Sequence, residues 1–382
     1  MTKMLVFLYV VIISLLAGCI RPEPPDALTP PVANTARCTP MNLRECLPSP
    51  DGQWTAEINS EKGTLLHNAA TGAVQELFPA DNSSSKLTWS PDSQRLVIVR
   101  NNWHIDSAGQ LQENAPPQIW QSQRNGDAFT APTLLFEKPK VMPVYGEMGP
   151  GEIKLGDWSP DNRQLLFWVG PISGSIEADG LPLYGLNTAT GQTTLLADSA
   201  LLNPRYHSWS PDGSALAYTA GGYRSAQVNK WLNLWDSKTS QLTTVISSTE
   251  QIPGIVAWSP TGEWIAYAAV PASATGAEWA DLMTVDNPAI AGRRLYLLNP
   301  TTGETQRLNT VDALQDAPVW SGDGVTLYYV QRDGNEIVLM AADPATGAAT
   351  PIEAARRPLP DAIGYYGQGE WDDVLAHLPG KE

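Results

Sequence analysis

The chain has 382 residues and 40 acidic against 24 basic side chains, a formal net charge of −16. So acidic a surface makes nucleic acid and anionic lipid head groups poor partners for the surface as a whole. The four histidines (His67, His104, His207, His377) are scattered, none with a partner at metal-ligand spacing.

The N-terminal segment stands apart from the rest. Lys3 precedes an uncharged run from Met4 to Gly18 that holds one serine, Ser14. That length suits the core of a signal peptide and is short for a membrane span. The run ends Leu16-Ala17-Gly18-Cys19 and resembles the bacterial lipoprotein signal. The resemblance implies removal of residues 1–18 and transfer of diacylglycerol to Cys19. Acyl chains at roughly 0.8 kcal/mol per buried methylene make a stable anchor. Ile20 follows the cysteine, not the Asp associated with inner-membrane retention. The expected location is therefore the cell envelope, at the outer face of the plasma membrane or in an outer membrane where the cell has one. Without Lys3 the mature chain carries 23 cationic against 40 acidic side chains.

Residues 19–37 read as the lipidated cysteine and a tether. Five prolines (Pro22, Pro24, Pro25, Pro30, Pro31) and no apolar periodicity give a semi-extended spacer, reaching on the order of 50 Å at ~3.1 Å per residue. Cys38 and Cys46 are the other cysteines, and an even pair in an exported chain favours a disulfide at the start of the fold.

From there a short pattern recurs: Pro48-Ser-Pro-Asp-Gly52, Trp89-Ser-Pro-Asp-Ser93, Trp158-Ser-Pro-Asp-Asn162, Trp209-Ser-Pro-Asp-Gly213, Trp258-Ser-Pro-Thr-Gly262 and Trp320-Ser-Gly-Asp-Gly324. Repetition at spacings of 41 to 69 residues marks a repeat architecture. Proline pre-sets the second position of a type I turn, and glycine supplies the left-handed residue that closes the hairpin. Asn162 adopts that conformation tolerably and Ser93 less easily. Apolar segments such as Arg95-Leu-Val-Ile-Val99 and Gln164-Leu-Leu-Phe-Trp168 flank the turns as strands. A second turn follows in each unit, for example Asn187-Thr-Ala-Thr-Gly191 and Asn299-Pro-Thr-Thr-Gly303. Each unit is then a four-stranded antiparallel blade, and the predicted fold is all-β, a six-bladed β-propeller. The motif tryptophans are expected to fill the space between neighbouring blades.

These motifs and turns resemble the WD-like repeats of TolB-type six-bladed propellers, over roughly residues 41 to 353. The propeller is assigned to residues 38–353. Residues 354–382 form a C-terminal tail, whose Tyr365, Tyr366 and Trp371 are candidates to pair with the atypical first blade and close the ring, with a seventh partial blade as the alternative.

Both tight turns of a unit lie at one end of its blade, so the long insertions gather at the other: Asn101 to Gln118, Glu137 to Ile153, Gly170 to Pro182, Thr219 to Lys230 and Pro271 to Arg293. Loops on a rigid scaffold are where binding residues usually lie. Their aromatic and histidine side chains, Trp103, His104, Tyr145, Tyr223, Trp231 and Trp279, form the candidate binding face. Acids accompany them at Asp106, Glu113, Glu177, Asp179, Glu278, Asp281 and Asp286. Lys86, Lys154 and Arg205, near the starts of innermost strands, are candidates for a cationic ring at the channel mouth that suits a carboxylate or a peptide end.

No nucleophile elbow, zinc-binding helix, phosphate loop or dinucleotide fingerprint occurs, so no catalytic residue, metal ligand or cofactor is assigned. The expected function is a lipid-anchored module binding a protein or peptide, with a glycan as a second class of ligand. The alternative is a polysaccharide lyase or hydrolase at the channel mouth, marked by two carboxylates about 5 to 10 Å apart.

Overall fold

The structure, a computed structural model, describes residues 43–81, 83–272 and 284–379. The signal segment, Cys19, the tether, Cys38 and Trp279 lie outside the described residues. Cys46 is disulfide-bonded, in the strand Leu43–Pro48.

The chain folds almost wholly as antiparallel sheets met in sequence order: residues 43–78, 84–137, 151–200, 207–246, 251–307 and 315–358. Five have four strands and the second has five, with a separate hairpin pairing Val141–Met142 with Gly146–Glu147. Within each four-stranded sheet neighbouring strands are also neighbours in sequence, the arrangement of propeller blades.

Strand periodicity explains the packing. In Trp54–Asn59, Trp54, Ala56 and Ile58 join a cluster with Leu87, Trp89, Leu96 and Ile98 of the second sheet. Thr55, Glu57 and Asn59 point to the opposite face, since successive side chains alternate. Equivalent clusters join the second sheet to the third, and so on to the sixth. The motif tryptophans span these junctions. The indole N–H of Trp89 donates to the Leu47 carbonyl at 3.0 Å, that of Trp158 to Thr88 Oγ1 at 3.1 Å, and that of Trp320 to the Ala257 carbonyl at 3.1 Å. Trp209 has no such partner and lies against Trp235, ring centroids 5.9 Å apart.

All six motif turns share one geometry. The fifth residue of each donates its N–H to the serine carbonyl at 2.9 Å, and its φ is positive, from 60° at Ser93 to 79° at Gly262. The two non-glycine positions carry a second task. Ser93 Oγ accepts the Asp51 N–H of the first sheet, and Asn162 Oδ1 accepts the Asp92 N–H of the second, both at 3.0 Å. Gly213 has no room for that, because a Cβ there lies 2.8 Å from the Asp161 nitrogen. Ser93→Ala keeps the unfavourable φ and loses the bond, so it is expected to cost about 1 kcal/mol. Ser93→Gly exchanges the bond for a relaxed backbone and should shift stability by less than ~0.5 kcal/mol. Urea midpoints of the two variants check this, and equal losses defeat the exchange.

Three expectations change. The outer edge of the second sheet is not one strand: Ala128–Phe129 and Thr133–Glu137 pair separately with Leu111–Asn125. Pro132, without an N–H, stands at the break. The last strand, Ala349–Pro358, continues past residue 353, paired with Glu336–Ala342. The tail beyond it packs on the sixth sheet rather than closing against the first. Ile363, Trp371, Val374, Leu375 and Leu378 form one apolar cluster with Val330, Ile337 and Leu339. Those apolar side chains offer burial that the polar Thr55, Glu57 and Asn59 of the first sheet do not.

Candidate functional site

The described parts of the insertions lie at the strand ends away from the motif turns, and neighbouring ones touch, as at Glu113 with Gly151 and Asp179 with Arg224. The segment Asn101 to Gln118 is not a loop but the far end of a hairpin. Arg95–Ile105 and Leu111–Asn125 stay paired out to Ile105 opposite Leu111. The Asp106 carboxylate closes the tip by accepting the N–H groups of Ala108 and Gln110, both at 2.9 Å. On this arm Trp103 is half-buried, His104 exposed, and Ile105 64% exposed. Glu113, opposite Trp103, ties the arm to the third sheet, accepting the Gly151 N–H at 3.2 Å and pairing with the buried Lys138 at 3.3 Å.

The other acids are likewise engaged locally. Asp179 binds Arg224 Nε at 2.8 Å, which joins the short helix Gly174–Asp179 to the 219–230 segment. Hydrogen bonding from Arg224 holds the Asp179 carboxyl below its ordinary range. Asp286 binds Arg332 at 2.7 Å. Glu278 and Asp281 lie outside the described residues. Tyr145 packs on the cluster between the second and third sheets, and Trp231 on that between the third and fourth.

The three cations do not form an unopposed ring. Lys154 sits between Glu152 at 2.6 Å and Glu177 at 3.4 Å. Burial, and then the hydrogen bond to Glu152, push the Glu177 carboxyl up. These two glutamates touch, closer than the separation glycosidases use. Arg205 pairs with Asp372 of the tail. Lys86 is exposed on Ser84–Trp89 and faces Glu45, whose carboxyl burial raises.

His207 is buried, with Nε2 2.8 Å from Asp157 Oδ2 and its ring against Trp168. The hydrogen bond holds the Asp157 carboxyl below its ordinary range. His67 makes the same contact with the fully buried Glu57, at 2.8 Å. Among the described residues no three His, Cys, Asp or Glu side chains converge as ligands for a metal ion. No helix there is long and apolar enough to cross a membrane.

Two buried cations that the sequence did not mark organise this face. Lys230 is fully buried, and the three N–H of its ammonium are shared among the carbonyls of Gly222, Tyr223, Ser225 and Val228, 2.8 to 3.1 Å from Nζ. It thereby sets the shape of the loop in which Tyr223 adopts φ 79°. Arg293 pairs with Asp316 at 2.6 Å, both buried. Asp316 Oδ2 also accepts the Trp371 indole N–H at 3.0 Å, and the second Arg293 nitrogen donates to the Gly367 carbonyl. The tail crosses these loops by backbone contacts as well. Ala226 N–H donates to Tyr366 at 3.1 Å, and Thr284 bridges Ala362.

No protein-family model and no curated protein sequence matches the chain. Solved structures do. TolB from Acinetobacter baumannii is 14% identical over 81% of this chain and 63% of TolB, with a TM-score of 0.35. A putative TolB from Agrobacterium tumefaciens is 16% identical over 78% of this chain and 93% of that one, TM-score 0.31. An oligogalacturonate lyase in complex with manganese is 14% identical over 79% and 77%, TM-score 0.39. The chain spans less than two thirds of the Acinetobacter TolB, and likeness at these identities and scores carries no residue, ligand or partner across to it.

Proposed function

We propose that the protein is a six-bladed propeller, anchored by lipid on Cys19 at the cell envelope, that recognises a protein or peptide through its loop-bearing face. The observation that carries this is the arm at Arg95–Ile105 and Leu111–Asn125. It carries His104 and Ile105 at its outer end, while Glu113, opposite Trp103, ties it to Lys138 and Gly151. A tethered projection with an exposed isoleucine beside a half-buried tryptophan suits a protein interface, where preorganisation lowers the cost of binding. The polysaccharide-cleaving alternative has less support, because Glu152 and Glu177 are in contact and share the one cation of Lys154.

The test is site-specific photo-crosslinking from native membranes, with the probe at Ile105 on the arm or at Val325 on the motif-turn face; the two are 64% and 66% exposed. A discrete crosslinked protein is expected from position 105 and none from 325. Equal yields, or a product from 325 alone, remove the loop face as the site.

A further inference from the structure

Behind the tail lies a pocket of about 320 Å³ between the inner strands of the fourth, fifth and sixth sheets. One wall is polar, formed by Arg205, His207 and Ser208; the other is apolar, with Ile255, Val319 and Leu375. The tail supplies Leu375 to this pocket, and Asp372, three residues earlier on the same helical turn, binds Arg205 Nη2. Asp372 and Leu375 thus place a carboxylate on the guanidinium and an aliphatic group in the pocket. The contact is incomplete: Nη1 of Arg205 is buried and has no hydrogen-bond partner. A guanidinium fork is suited to a carboxylate that takes both nitrogens. Asp372 itself is held loosely, its side chain 83% exposed.

We propose that this pocket binds an aliphatic carboxylate, and that Asp372 and Leu375 stand in for that ligand when it is absent. The carboxylate replaces Asp372 on both nitrogens of Arg205, and the aliphatic body lies along Ile255 and Val319, so that Asp372 competes with the ligand. The site is separate from the arm and independent of what the arm recognises.

The chemistry has two sources, a free aliphatic acid or the C-terminal residue of a peptide, represented by octanoate and acetyl-Ala-Leu. Trp258 and Trp320 line the pocket, so intact protein is titrated by tryptophan fluorescence, with octanamide as the uncharged control. At least one acid is expected to give a saturable change, and the tighter of the two identifies the source. Arg205→Gln should weaken it by at least about tenfold. Asp372→Asn, at an exposed position, should tighten it by about fivefold, by removing the competing ion pair. The proposal is overturned if neither acid gives a saturable change, if octanamide binds as well as octanoate, or if Asp372→Asn leaves the affinity unchanged.

Discussion

Asp316→Ala is expected to lower stability by about 3–5 kcal/mol, a large share of what holds a domain of this kind together. Asp316 is fully buried in Gln315–Trp320, where the register with Leu327–Asp333 shifts and Ala317 takes φ 51°. That irregularity aims the carboxylate at Arg293, whose side chain is only 5% exposed. Removing the carboxylate leaves a buried guanidinium without its counter-charge and takes the acceptor from the Trp371 indole. The tail should loosen first, seen as faster hydrogen exchange at residues 361–378 and a red shift of tryptophan emission. Urea midpoints measure the cost. The double variant Arg293→Met with Asp316→Ala buries no unpaired charge and should lose less than Asp316→Ala alone. A double variant as unstable as the sum of both single changes would refute the charge argument.

What was legible in the sequence was local. A Ser-Pro-Asp-Gly turn is specified by adjacent residues, so its geometry could be read from one line, down to the strained fifth position at Ser93. The tryptophans' structural work follows from their place at the end of each first strand. What was not legible depends on distant partners. Arg205 meets Asp372 across 167 residues, and Trp371 meets Asp316 across 55. Nothing in Glu370-Trp371-Asp372 announces a buried anchor rather than a strand. Asp106-Ser-Ala-Gly109 looked like part of a loop, yet it is the tip of a hairpin whose strands the broken pattern around Asn101 and Pro116-Pro117 concealed. Lys154 pairs with Glu177 of a helix from a different connection, which its own neighbours in the chain do not announce. Charge counted along a chain says little about which charges meet.

Lys230→Met is the second change expected to have a large effect, at least about 3 kcal/mol at pH 9. It takes the Lys230 nitrogen, which even as the neutral amine favoured at pH 9 has two N–H to donate, away from four buried carbonyls, and an unsatisfied buried polar group costs about 1–3 kcal/mol. The loop from Gly222 to Asn229 should lose its shape, and with it the Ala226 contact to Tyr366 of the tail. The loss should also depend on pH. Burial lowers the Lys230 pKa to about 7, against the partial opposition of Asp179. The unfolded chain, with an ordinary lysine, therefore binds more protons than the folded one above that value. Stability contributed by Lys230 then rises with pH from about 7 towards the ordinary lysine pKa, and is lost as pH falls through 7. Between pH 7 and pH 9 the gap between wild type and Lys230→Met should widen by about 2 kcal/mol, since one proton is worth ~1.4 kcal/mol per pH unit. Taking the difference between the two proteins cancels every other group that titrates in both. A gap that stays constant from pH 6 to 9 shows that the four carbonyls hold the ammonium charged throughout, with burial the weaker influence on Lys230.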